Sequence, residues 1–165
     1  MNVDVDVMRF FPFLLTREDS EGMLARIDQH FEEHGFGLWA LECRKTGQFI
    51  GFAGLSVPRF VSHFTPCVEV GWRLARAFWG HGYATEAARA ALAHGFAELR
   101  LPEIVSFTTV ANERSRRVMC RLGMHHDPAD DFEHPVLVAS GYSHLAPHVL
   151  FRLRPEGSRI EHSHA

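Results

Sequence analysis

Two glycines, Gly80 and Gly82, stand at the mouth of a helical pattern, and they mark the stretch of this chain best suited to chemistry. The residues before them, Glu69-Val70-Gly71-Trp72-Arg73-Leu74, read as a strand, and a helical pattern begins at Tyr83 or at Gly82 itself. Glycine lets a backbone come close to a ligand. The first N–H groups of a helix have no internal partner and lie at its positive end. Gly80, His81, Gly82, Tyr83, Ala84 and Thr85 therefore predict an anion site, with phosphate as the usual occupant. A dinucleotide fingerprint is excluded because no third glycine follows at the required spacing. A Walker loop is excluded because no Gly-Lys-Ser/Thr occurs.

Other reactive residue types carry less. Cys43, Cys67 and Cys120 are far apart and odd in number, so reduced thiols of a cytoplasmic protein are expected. The chain holds twelve histidines; His125-His126 and His162-Ser163-His164 invite a metal reading, but neither group has the i, i+4 helical spacing of a zinc pair with an intervening Glu. No metal is expected. Glu69 alternates with Val68 and Val70, so it lies on the opposite face of its strand. Asn112 suits a helix N-cap, with Ser115 three residues later.

The surrounding elements must position these residues. Thr16 and Asp19 form an approximate capping box before a helix whose apolar face is Met23, Leu24, Ile27 and Phe31. Gly35 and Gly37 end it. Phe36 to Cys43 and Gln48 to Leu55 read as an antiparallel hairpin. Pro58 to Pro66 is a loop carrying Phe60, His63 and Phe64, either a packed surface loop or a pocket wall. Cys67 to Leu74 is a strand, and an Ala-rich helix follows to about Leu99. Ile104 to Val110 is a strand, Asn112 opens a short helix, and Gly123-Met124 is a glycine stop. Asp127 to Pro147 reads as a long loop with at most one short strand, and Val149 to Leu153 is the last strand. This order predicts one α/β domain over residues 1–153, a mixed sheet with helices on its faces. Residues 154–165 are expected to form a frayed tail.

Composition agrees with an ordinary globular domain: 46% apolar, 22% charged, net charge -3. No basic run points to nucleic acid, no stretch is apolar enough for a membrane span, and the acidic start is no signal peptide.

Trp72-Arg73-Leu74 with Phe78-Trp79-Gly80-His81-Gly82-Tyr83-Ala84-Thr85-Glu86-Ala87 resembles the acetyl-CoA motif of the GNAT N-acetyltransferases. Asn112 to Val118, continued by Leu122-Gly123-Met124, is similar to the second motif of the branch that includes the ribosomal-protein N-terminal acetyltransferases. The resemblance covers roughly residues 8–153. It implies a GNAT fold with a mostly antiparallel central sheet, acetyl-CoA as co-substrate, and an amine acceptor. It implies pyrophosphate held by the Gly80–Thr85 loop, pantetheine contact at Asn112, and the Ser115 hydroxyl as general acid. It places Glu69 in the acceptor-lining strand as candidate general base. Glu69 could equally pair with an arginine, Asn112 could simply cap, and the Tyr83 ring could be core.

Two departures stand out. The loop has Ala77 where the family often has Gln or Arg, with Arg76 just before it, and His81 where Lys or Arg is common. Only six residues precede Val7-Met8-Arg9-Phe10-Phe11, so the family's first strand is expected to be missing. A missing strand exposes a sheet edge and favours a homodimer. The reading is direct acetyl transfer to a primary amine, of a protein N-terminus or a small molecule. Phe60, Phe64 and Trp39 are the candidate aromatic walls of its pocket. The rival is a non-catalytic acyl-CoA-binding or sensory domain.

Overall fold

The computed structural model describes residues 1–155, so most of the expected tail, with His162-Ser163-His164, lies outside the described residues. Helix α1 (Arg17–His34) starts at a full capping box. The Thr16 hydroxyl accepts from Asp19 N–H at 3.1 Å, and Asp19 Oδ2 accepts from Thr16 N–H at 2.9 Å. Gly35, at φ 75°, ends it in the left-handed conformation.

Strands β1 (Leu38–Cys43), β2 (Gln48–Ser56) and β3 (Glu69–Leu74) follow as an antiparallel meander. Helix α2 (Tyr83–Ala97) carries the chain back to β4 (Ile104–Thr109), which is parallel to β3. After α3 (Glu113–Arg121) come the two-residue strands β5 (His125–His126) and β6 (Phe132–Glu133), the short helix α4 (Pro135–Ala139) and β7 (Pro147–Leu153). The sheet order is β1-β2-β3-β4-β7-β5, with β6 also on β7. This is the expected mixed, mostly antiparallel sheet. Among the described residues no strand pairs with the outer side of β1, which is one edge of the sheet.

The stretch from 127 to 147 holds more than the expected loop with one short strand. It holds β6, α4 and two 3-10 turns, and β5 precedes it. These pieces are too short for periodicity to reveal, and pairing with β7 is what fixes β5 and β6.

Strand alternation sorts the core onto two faces. Leu55, Val70, Ile104, Val149 and Phe151 face α2 and α3, where Ala88, Ala91, Leu92 and Met119 meet them. Gly95 brings α2 close: a Cβ there would lie 2.5 Å from Ile104 Cδ1 and 3.0 Å from Leu55 Cδ1. Trp39 lies on this helical side, its ring 5.4 Å from that of His94, so it is a core residue and not the pocket wall expected of it. The opposite face carries Glu69, Gly71, Arg73, Val105, Phe107 and Leu150. It is covered by α1, by the N-terminal segment, and by an aromatic cluster of Phe60, Phe64, Phe107 and Phe132. Phe60 and Phe64 are thus packed against each other and against the sheet, with ring centroids 6.1 Å apart.

Candidate active site

Between β3 and β4 the ladder holds one residue pair, Glu69 with Val105, closed by Val105 N–H to Val68 O at 2.9 Å. One step on, the Ser106 hydroxyl donates to Val70 O at 2.9 Å, taking the place of a strand partner. Past that point the strands pair no further. Alternation turns the backbone of Trp72 and of Phe107 toward the resulting gap. Unpaired strand edges of this kind accept an extended ligand with its own amide groups.

The C-terminal ends of both strands lead into helix N-termini that flank the gap. After β3 comes a 3-10 turn (Arg76–Phe78), anchored by Trp79 Nε1–H donating to Leu74 O at 2.9 Å. Gly80 and Gly82 follow at φ 80° and 83°. A Cβ at either would meet nothing within 4 Å, so backbone conformation, not crowding, requires glycine there. Gly82 caps α2 without a side chain, and the first helical bond is Glu86 N–H to Gly82 O. The N–H groups of Tyr83, Ala84 and Thr85 are left at the exposed positive end of the helix. His81 is exposed beside them, its ring 5.6 Å from that of Tyr83. These donors fit a pyrophosphate.

The other predicted loop residues are engaged elsewhere. Arg76 forms an ion pair with Asp6 of the N-terminal segment. The Tyr83 ring belongs to a core cluster with Leu74, Trp72 and Ile50, and its hydroxyl hydrogen-bonds Cys43. Of the second motif's arginines, Arg114 reaches the loop, its guanidinium 4.9 Å from the Trp79 ring. Arg117 pairs with Glu113 along the helix at 2.7 Å, and Arg116 donates to Val110 O at 3.1 Å.

At the N-terminus of α3, Asn112 is a cap. Its Oδ1 accepts from Ser115 N–H at 3.3 Å, while its amide donates to Thr108 Oγ1 at 2.9 Å and to Ser115 Oγ at 3.2 Å. The Ser115 hydroxyl therefore receives one hydrogen bond and keeps its own proton free to donate.

Glu69 lies at the closed end of the gap. Leu74, at the other end of β3, is five residues away, about 17 Å along a strand. Burial pushes the Glu69 carboxyl up to about 8, and a hydrogen bond with the Ser56 hydroxyl pulls it back only in part. Ser56 is the register partner of Glu69 on β2. A Cβ at Gly71 would sit 3.8 Å from Glu69 Oε1, so the carboxyl leans over a position with no side chain. Beside it the Cys67 thiol is pushed up to about 11, first by burial and then by the Glu69 charge, which keeps it protonated and unreactive.

Ser56, Ser106, Thr108 and Trp79 are site residues that sequence reasoning missed. Each works through a register or a return contact across 4 to 36 residues.

Among the described residues no group of three or more His, Cys, Asp and Glu is arranged to hold a metal ion. No helix among them is long and apolar enough to cross a membrane.

Comparison with known proteins gives one answer. Residues 1–125 match the family model described as acetyltransferase (GNAT) domain. The uncharacterized protein YkkB of Bacillus subtilis (strain 168) is 34% identical over 123 residues, covering 74% of this chain and 70% of YkkB. The FsC-acetyl coenzyme A-N(2)-transacetylase of Aspergillus fumigatus is 38% identical over 96 residues, 56% of this chain and 40% of that protein. Among solved structures, a putative GnaT-family acetyltransferase from Bordetella pertussis superimposes with a TM-score of 0.71 at 24% identity, over 89% of this chain and 85% of that one. The chain belongs to the GNAT family and is an N-acetyltransferase that uses acetyl-CoA.

Proposed function

We propose that the chain acetylates a primary amine by direct attack on the thioester of acetyl-CoA within a ternary complex. Glu69 is the general base, Ser115 the general acid, and the Gly80–Thr85 backbone the pyrophosphate cradle. The observation that carries this reading is the gap between β3 and β4. It is flanked at its open end by the α2 and α3 N-termini and closed at Glu69.

The chemistry balances on these groups. A C–N bond forms and a C–S bond breaks. Glu69 takes the amine's proton, directly or through a water. Ser115 gives its hydroxyl proton to the leaving sulfur and regains one from solvent as Glu69 releases the amine's proton to solvent, so both groups return to their starting states, and Asn112 holds Ser115 in place. A carboxyl near 8 is well matched to amines whose pKa is ~8 for an N-terminus and ~10 for a lysine-like group. His81 supports the cradle, as does Arg114 held over Trp79. Arg76 reaches the phosphates only by leaving Asp6.

Likeness to the ribosomal-protein N-terminal branch is carried by the two motifs, so a protein N-terminus is one acceptor class and a small amine the other. A second copy of the chain is proposed to pair along the outer edge of β1. The test of function is thiol release from acetyl-CoA with a panel of amines. Glu69→Gln and Ser115→Ala should each lose turnover while keeping acetyl-CoA affinity. Unchanged turnover in both would contradict the assignment.

A further inference from the structure

The Ser56 hydroxyl that hydrogen-bonds Glu69 also lines an open cleft of about 220 Å³ between α1 and the β1–β2 hairpin. At ~30 Å³ per water in the liquid, that is room for about seven waters, enough for a small molecule and too little for a folded peptide. Met23 and Ile27 of α1 and Leu38, Leu55 and Val57 of the sheet side make it apolar. His30 also lines it and brings no charge. Its Nε2 accepts from Val57 N–H at 2.9 Å, so its Nδ1–H donates to Phe36 O at 2.7 Å, which is the neutral tautomer.

The charge in the lining is of one sign. Arg26 and Arg59 belong to it, and no Asp or Glu does. Arg59 has a distant partner, Glu33 at 3.6 Å. Arg26 forms no ion pair among the described residues, and the acid it influences, Asp19, is committed to the capping box of α1. An apolar slot lined by Ser56, the hydrogen-bond partner of the base, and by an unneutralised guanidinium suits a ligand with an amine at one end and an anion at the other.

We propose, on the basis of the Glu69 assignment, that this cleft seats the non-reacting end of the acceptor, and that the acceptor is a small amine whose apolar body ends in a carboxylate. The amine reaches Glu69 past Ser56, the body lies on Met23, Ile27 and Leu38, and the carboxylate meets Arg26. A polyamine would set its second cation against the two arginines.

Three amines of equal length isolate the charge: 5-aminopentanoate, pentylamine and cadaverine. With the full chain and saturating acetyl-CoA, thiol release should give a kcat/KM about tenfold higher for 5-aminopentanoate than for pentylamine, and lowest for cadaverine. Arg26→Gln should raise KM for 5-aminopentanoate about tenfold while the KM for acetyl-CoA stays put. Ile27→Trp, which fills the slot, should raise KM for 5-aminopentanoate and pentylamine alike. Equal rates for the three amines, a preference for cadaverine, or an Arg26→Gln variant with unchanged KM would overturn the proposal. If amines turn over and Glu69→Gln abolishes it, such a result counts against the cleft alone. If acetyl-CoA binds and no amine turns over, the Glu69 assignment falls and the cleft proposal with it.

Discussion

At the scale of residues, the proposed site rests on one raised carboxyl and one oriented hydroxyl. Glu69 holds its proton in the folded chain up to about pH 8, whereas an unfolded chain releases it near 4.5. Its contribution to stability is therefore complete below about 4.5 and is lost as pH rises toward and through 8. Glu69→Gln removes that loss. The variant should gain urea resistance over the parent at pH 8.5 relative to pH 5, and it should lack the rise of kcat near pH 8 that the Glu69 assignment predicts for the parent. A constant difference in midpoint at the two pH values would contradict the buried-carboxyl account. Ser115→Ala should lower kcat about 100-fold and leave calorimetric binding of acetyl-CoA intact. A loss of binding without a change in kcat would instead mark Ser115 as a cofactor contact. The residues of the two motifs were legible because glycine at positive φ and asparagine at an N-cap are local demands of the backbone. Ser56 was not, because its role depends on register with Glu69. The two readings left open for Tyr83 separate once tertiary contacts with Cys43 and Leu74 are known.

At the scale of elements, the long periodic pieces were legible and the short ones were not. Helices α1 and α2 and strands β1 to β4 declare themselves by capping residues, by spacing of apolar positions and by glycine stops. Strands β5 and β6 exist only as partners of β7, so no local pattern could announce them. Close packing of α2 on the sheet is an element property that depends on Gly95. Gly95→Ala should destabilise the domain by about 1–3 kcal/mol, because the added methyl must displace Ile104 and Leu55. That cost exceeds the gain in helix propensity of about 1 kcal/mol. Chemical denaturation reads it, and stabilisation would show that the interface has slack. The β4–β7 end carries an opposite pH dependence to Glu69. Burial pushes the His148 ring down to about 4, with Nδ1–H donating to Ala146 O at 2.8 Å, and burial also lowers His134 beside it. An unfolded chain takes up these protons near 6.5, so stability should fall as pH drops from about 6.5 toward 4. His148→Gln should flatten that part of the curve. A parent whose melting temperature is level across this window would contradict the buried neutral ring.

At the scale of the whole molecule, the sheet is arranged around a single break. Antiparallel strands on both sides of it are held by full ladders, while β3 and β4 share one residue pair and then part. The order of hairpin, strand, helix, strand, helix was enough to foresee a mixed sheet. It could not say that β3 and β4 diverge, because divergence is a property of pairing and not of either strand. The open outer side of β1 gives a second whole-molecule expectation. Light scattering should report a mass near twice 18.7 kDa, and Ala40→Pro, which removes an outward N–H from that edge, should return it to one chain. A parent that is monomeric at high concentration would rule out the edge pairing. The central claim is that the break, with its two helix N-termini, receives acetyl-CoA. Calorimetric titration tests it most directly, with ATP and NAD as controls. The account predicts saturable binding of one acetyl-CoA per chain, tighter than either control. A sample that melts cooperatively yet takes up no acetyl-CoA, or that binds ATP or NAD equally well, would contradict it.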